Sequence, residues 1–135
     1  TLDGVLDQIE SKYGITLPMS NLLASNPCGE LKAETRETFF VGNDLVGDEE
    51  TYHILLQGED RDFQFWVSQA DLPLLKKAII TYKELPAEPQ YTVLFSNWNF
   101  RPELSANRFS FTPGQDDVKV EFMPVDQILP PSETE

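Results

Sequence analysis

The sequence predicts an α+β fold, with short N-terminal helices packed on an antiparallel β-sheet of about six strands. Three observations carry that expectation. Apolar residues recur at spacings of three and four from Thr1 to Tyr13, then switch to a period of two from Glu34 onward. Glycine, proline and acidic clusters interrupt the second region at short intervals, as a meander of hairpins requires. The third is Pro89 to Phe100, where Tyr91, Val93 and Phe95 alternate with Thr92, Leu94, Ser96 and Trp98. Both faces of that strand are apolar, so it belongs in a sheet covered on at least part of its second face.

The first helix carries Leu2, Val5, Leu6, Ile9 and Tyr13 on one stripe, which should be buried. Thr1 can cap its start, Asp3 suits the positive end of the helix dipole, and Gly14 is placed to end it. Pro18 and Ser20 open a short turn with Leu22 and Leu23. Asn26-Pro27 then pairs a cap with a first helical position for a third piece ending near Lys32. In the strand region, Glu37, Phe39 and Val41 alternate with Thr38 and Phe40, with a turn at Gly42-Asn43-Asp44 or at Gly47-Asp48.

Thr51 to Gln57 and Asp62 to Ser68 form a hairpin around Gly58-Glu59-Asp60-Arg61. The next strand starts at Leu72-Pro73 and is rich in β-branched and aromatic residues toward Tyr82. A helix competes there, because Leu75, Ala78, Ile79 and Tyr82 also fit a helical stripe. Phe109 and Phe111 mark a further short strand before Pro113-Gly114, and Val118 to Phe122 can add another. Residues 1–123 are expected to form one domain, and residues 124–135, rich in proline and acids, a disordered tail.

The 135 residues carry a net charge of -13. Nucleic-acid binding rests on Lys and Arg neutralising phosphates, so this balance argues against it, and it would equally repel an anionic membrane. No apolar run is long enough to span a bilayer. The chain begins at Thr1 without a methionine, as expected of a processed or trimmed piece, and a targeting signal would precede it.

Recognisable chemistry is scarce. Cys28 is the one cysteine, so neither an internal disulfide nor a thiolate cluster can form, and it reads as a small packing residue. His53 is the one histidine; a catalytic reading would pair it with Asp62 or Glu59, but no nucleophile motif accompanies it, and a half-buried strand histidine with one hydrogen bond accounts for it. Asp48-Glu49-Glu50 and Gly58 to Asp62 lack the ligand ladder of a calcium loop, and no glycine pattern cradles a phosphate. No cofactor or metal is therefore expected. The strand aromatics Phe39, Phe40, Phe63, Phe65, Trp66, Tyr91, Phe95 and Trp98 either form the core or, in part, line a concave groove for an acyl chain or apolar peptide.

Several runs taken in order carry a resemblance. Phe65-Trp66-Val67, Leu72-Pro73, Pro89-Gln90-Tyr91-Thr92, Asn97-Trp98-Asn99 and Phe109-Ser110-Phe111-Thr112-Pro113 resemble the C-terminal half of a bacterial family of predicted periplasmic proteins, grouped with the lipoprotein-carrier (LolA/LolB-like) superfamily. The match runs from about Leu2 to Phe122. It implies a curved sheet forming part of a half-barrel, a periplasmic or envelope location, and no shared catalytic residues. Leu2, Val5, Leu6, Ile9, Leu22 and Leu23 would belong to a helical plug. Ile54, Leu56, Phe63, Phe65, Val67, Val93 and Phe95 would line the apolar groove. The implied function is non-enzymatic binding of a lipid or lipoprotein acyl chain. The alternative is an envelope sensor or scaffold that binds a protein partner, or a second copy, through an exposed sheet edge.

Overall fold

The computed structural model describes residues 1–15 and 17–119. They fall into two compact units, one made of Thr1–Leu17 with the chain from Asn99 onward, the other of Pro18–Trp98.

In the first unit, helix α1 spans Leu2–Tyr13. Its ends follow the sequence logic: the Thr1 hydroxyl accepts the Gly4 N–H at 3.3 Å, and Gly14 adopts a left-handed φ of 63° while its N–H closes on the Glu10 carbonyl at 2.9 Å. The apolar stripe is less covered than expected. No residue of α1 is buried; Leu6 and Ile9 are half-buried, and Leu2 and Val5 are exposed. A stripe shows which face of a helix seeks cover without showing how much cover it finds.

The segment after Asn99 holds turns where a strand was expected. Arg108 and Ser110 donate backbone bonds to Ser105 and Asn107, each at 3.0 Å, which curls the chain through the position of Phe109. Phe109 is 88% exposed, and Phe111 lies in irregular chain just before Pro113. Val118 and Lys119 are also irregular, while the rest of the expected 118–122 strand and the 124–135 tail lie outside the described residues.

The second unit opens with a 3-10 turn, Ser20–Leu22, and helix α2, Pro27–Glu34. Asn26 caps α2, its Oδ1 accepting the Gly29 N–H at 3.1 Å. Strand β1, Thr35–Val46, follows without a loop, and Glu34 fixes the junction. Its Oε1 accepts from Asn21 Nδ2 at 2.6 Å, and its Oε2 lies 3.0 Å from Arg61 Nε.

β1 begins an open antiparallel sheet in sequence order with β2, Glu49–Gly58, β3, Arg61–Ser68, β4, Leu75–Tyr82, and β5, Gln90–Leu94. Five strands are thus described where about six were expected. Of the two possible first turns, the chain uses Gly47-Asp48, with Gly47 at φ 62°; Gly42-Asn43-Asp44 stays in the strand behind an irregularity between Phe40 and Gly42. The Leu75–Tyr82 segment is a strand rather than the competing helix. It starts beyond Leu72-Pro73 because Ser68 closes the loop, its N–H donating to the Leu74 carbonyl at 2.8 Å and its hydroxyl accepting the Leu74 N–H at 2.9 Å.

Gly58 ends β2 at a close approach. An added Cβ would stand 2.6 Å from both the Arg61 and Glu34 carbonyl oxygens. β5 is shorter than the Pro89 to Phe100 stretch that suggested it. Ladder pairing stops at Leu94, the Phe95 N–H still donates to Lys76 O at 2.8 Å, and Asn97 turns the chain at φ 53°. The buried apolar core is Phe63, Trp66, Ala78 and Ile80, all on the central strand β3 and its neighbour β4.

Candidate functional site

The ladder registers sort the strand residues into two faces of different chemistry. On one face lie two rows crossing all five strands: Phe40, Ile54, Phe65, Ala78 and Val93, and beside them Thr38, Leu56, Phe63, Ile80 and Tyr91. Directly opposed side chains in a sheet are close enough to pack, so each row is a continuous strip, apolar but for Thr38 and the Tyr91 hydroxyl. Phe63 and Ile80 are each 1% exposed, and Ile54, Leu56, Phe65, Val67 and Val93 are half-buried around them. Phe63 and Phe65 stack at 6.1 Å between ring centroids.

Six of the seven expected groove residues therefore share a face. Phe95 lies one residue past the end of β5 and stacks on Trp98, 5.6 Å away, whose indole N–H donates to the Leu75 carbonyl at 3.0 Å. Ala78 and Ile80 belong to the same strips and were absent from the expected set. Their phase could not be read while β4 was also compatible with a helix, since facing direction follows only once the period is known. Of the expected plug, Leu2, Val5, Leu6 and Ile9 lie in the unit containing α1, whereas Leu22 is half-buried and Leu23 exposed beside α2.

The opposite face is mixed: one row runs Phe39, Leu55, Gln64, Ile79 and Thr92, and the row beside it brings polar and aromatic groups together. That second row runs Gly42, His53, Trp66, Lys77, Leu94. The His53 ring stacks on Trp66 at 4.0 Å and 14°, and Lys77 Nζ lies 4.1 Å from the indole centroid. Trp66 Nε1 donates to Asp44 Oδ2 at 2.8 Å, and Asp44 Oδ1 accepts the Leu45 N–H at 2.8 Å. These two bonds, the Trp66 one first, hold the Asp44 carboxyl below its usual value; partial desolvation opposes them, and the electrostatic influence of nearby His53 and Lys77 adds to them.

His53 does not meet a carboxylate. Its Nε2 is 2.9 Å from Gln64 Oε1, while Asp62 accepts the Gly58 N–H at 3.2 Å and pairs with Lys83 at 3.1 Å, and Glu59 pairs with Arg36. The base-and-orienter arrangement considered for His53 is therefore not formed. Register explains why: Asp62 shares the face of His53 but opposes Gln57, four residues along β2, and Glu59 sits in the turn beyond the ladder.

A polar cleft of about 300 Å³ lies at the β2–β3 turn, lined by Ala33, Glu34, Arg36, Glu59, Asp60 and Arg61. Two ion pairs line it, Arg61 with Glu34 and Arg36 with Glu59, and Asp60 adds a third carboxylate. Cys28, on the first turn of α2, is exposed rather than packed. Among the described residues no three of His, Cys, Asp and Glu converge as a metal site would require, and no helix is long and apolar enough to cross a membrane.

Residues 1–123 match the family model described as Predicted periplasmic protein (DUF2092). The chain belongs to this family. The match takes in the whole described sheet and both helices, so the periplasmic protein family shares the region that contains the two apolar strips. No curated protein and no solved structure matches the chain.

Proposed function

We propose that this member of the periplasmic protein family is a non-enzymatic envelope protein that binds a lipid or lipoprotein acyl chain along the apolar face of its sheet. The sheet would form part of a LolA/LolB-like half-barrel. One observation carries the reading: the two apolar strips run unbroken from β1 to β5, with half-buried Ile54, Leu56, Phe65, Val67 and Val93 beside the sealed Phe63 and Ile80. A strip with almost no polar group suits an acyl chain, which offers methylenes and no hydrogen bonds. The family's description supports the envelope location.

The test is native mass spectrometry of delipidated protein titrated with palmitate and with a palmitoylated lipopeptide. Binding that is lost in Phe65→Ser and Ile54→Ser, at unchanged far-ultraviolet circular dichroism, supports the reading. Absence of any adduct with both probes overturns it.

A second reading has its own observation. Edge strand β1 exposes Phe39, Phe40, Val41 and Leu45, with Phe40 64% exposed. A long apolar edge favours strand addition, so a sensor or scaffold that takes a protein partner or a second copy along β1 is the alternative. Sedimentation velocity would separate the two: partner or self-association that survives Phe65→Ser and is lost in Val41→Lys belongs to the edge.

A further inference from the structure

The apolar face borders a charged cleft, and one side chain belongs to both. Arg61 opens β3 two residues before Phe63 and so keeps its phase, opposing Tyr82 two residues beyond Ile80. Its guanidinium carbon lies 5.9 Å from the Phe63 ring centroid, and its Nε lies 3.0 Å from Glu34 Oε2. Arg61 also lines the cleft of about 300 Å³ at the β2–β3 turn, where Arg36 and Arg61 face Glu34, Glu59 and Asp60, one negative charge in excess. The two ion pairs leave part of this charge uncommitted. Arg61 meets Glu34 through Nε, so the terminal amino groups of its fork have no partner among the described residues, and the Asp60 carboxylate has none either. Asp60 is fixed by its carbonyl, which accepts the Lys83 N–H at 2.9 Å, while the Lys83 ammonium is spent on Asp62 and on the Gly58 carbonyl.

We propose that this cleft seats the head group of a zwitterionic phospholipid, with its phosphate on the open fork of Arg61, its primary ammonium on Asp60, and its acyl chain on the apolar face. The inference rests on the acyl-chain reading above and names the class of lipid. The end of a guanidinium presents two parallel donors that match two phosphate oxygens, and a carboxylate accepts from an ammonium. An anion alone would face three carboxylates in this cleft, and a cation alone would face two guanidinium groups. A head that carries both charges satisfies the two uncommitted groups at once. Arg61 stands at the boundary such a ligand requires, its guanidinium above the Phe63 ring on one side and open to the cleft on the other.

The test compares amphiphiles that share a palmitoyl chain, each below its micelle threshold: a lyso-phosphoethanolamine, a lyso-phosphoglycerol, which has the phosphate without the ammonium, and monopalmitoylglycerol, which has neither. Native mass spectrometry of the delipidated protein gives the affinity for each. The readout is the ratio of affinities within one protein, which a general loss of stability does not mimic. Wild-type protein should prefer the phosphoethanolamine to each of the others by about tenfold. Asp60→Asn should remove the preference over the phosphoglycerol, and Arg61→Gln the preference over monopalmitoylglycerol. Equal affinities in wild type, or a preference that survives its substitution, overturn the proposal and leave the acyl-chain reading standing. Binding of none of the three overturns both.

Discussion

Trp66 and Asp44 stand on strands that share no ladder, β3 and β1, yet the indole Nε1 donates to the carboxylate Oδ2 at 2.8 Å. The bond crosses β2 on the mixed face, above the His53 ring. It fastens the far half of β1, beyond the irregularity at Phe40 and Gly42, to the centre of the sheet. Trp66 is 4% exposed, so this outward-facing aromatic is as much a core residue as those of the apolar face.

Truncating Trp66 should accordingly be costly. Trp66→Ala removes a buried indole together with the stack under His53, and losses of about 3–5 kcal/mol are typical of such cavities. Urea unfolding should show a lower midpoint at an unchanged slope. A variant as stable as wild type would mean that the indole is not part of the core.

Asp44 should make stability depend on pH at the acid end. Its carboxyl is held below the ordinary value, mainly by the Trp66 hydrogen bond, so the folded state binds the proton less readily than the unfolded chain. The stabilisation is complete above the ordinary aspartate value of about 3.9 and is lost as pH falls through the lowered one. The urea midpoint of Asp44→Asn should therefore lie below that of wild type at about pH 6, and the gap should close only as pH falls below the ordinary aspartate value and through the lowered one. A gap of constant size across that range would contradict this account.

Gly58→Ala tests the close approach at the end of β2. The new Cβ would meet two backbone oxygens at 2.6 Å, neither of which is the yielding end of a flexible side chain. Overpacking of this kind costs about 1–3 kcal/mol, and calorimetry should show a lower melting temperature. Gly4→Ala is a fair control, because a Cβ there meets only Thr1 Oγ1 at 3.4 Å.

Phe63 and Phe65 allow folding to be separated from the proposed acyl-chain binding. Phe63 is sealed, so Phe63→Ala should destabilise by about 3–5 kcal/mol. Phe65 is half-buried on the same strand, and Phe65→Ser should cost less stability while removing acyl-chain binding. Equal losses of stability in the two variants would indicate that both rings serve only the core.

Much of this pattern was legible beforehand because alternation is a local property. Residues two apart on a strand share a face whatever pairs with them, so spacing puts Ile54 with Leu56, while Phe63, Phe65 and Val67 enter the expected groove through the family resemblance. Phe95 shows the limit of that argument. It continues the alternation of Tyr91 and Val93, but the ladder ends before it and the ring turns onto Trp98. Phe109 and Phe111 fail similarly, since a period of two costs nothing to display and a strand exists only where a neighbour takes its hydrogen bonds.

By itself, the sequence determined the helix caps at Thr1, Gly14 and Asn26, the hairpin around Glu59-Asp60, the strand phase of β2 and β3, and the acidic balance. Each depends on neighbours a few residues away. Only the tertiary structure decided register, and register decided the rest. It set Ala78 and Ile80 beside Phe65 and Phe63, gave His53 a glutamine instead of a carboxylate, and brought Asp44 to Trp66 across an intervening strand. Those contacts join residues 11 to 22 positions apart. No local period encodes such a distance, because it is fixed only when turn lengths and strand pairing are settled together.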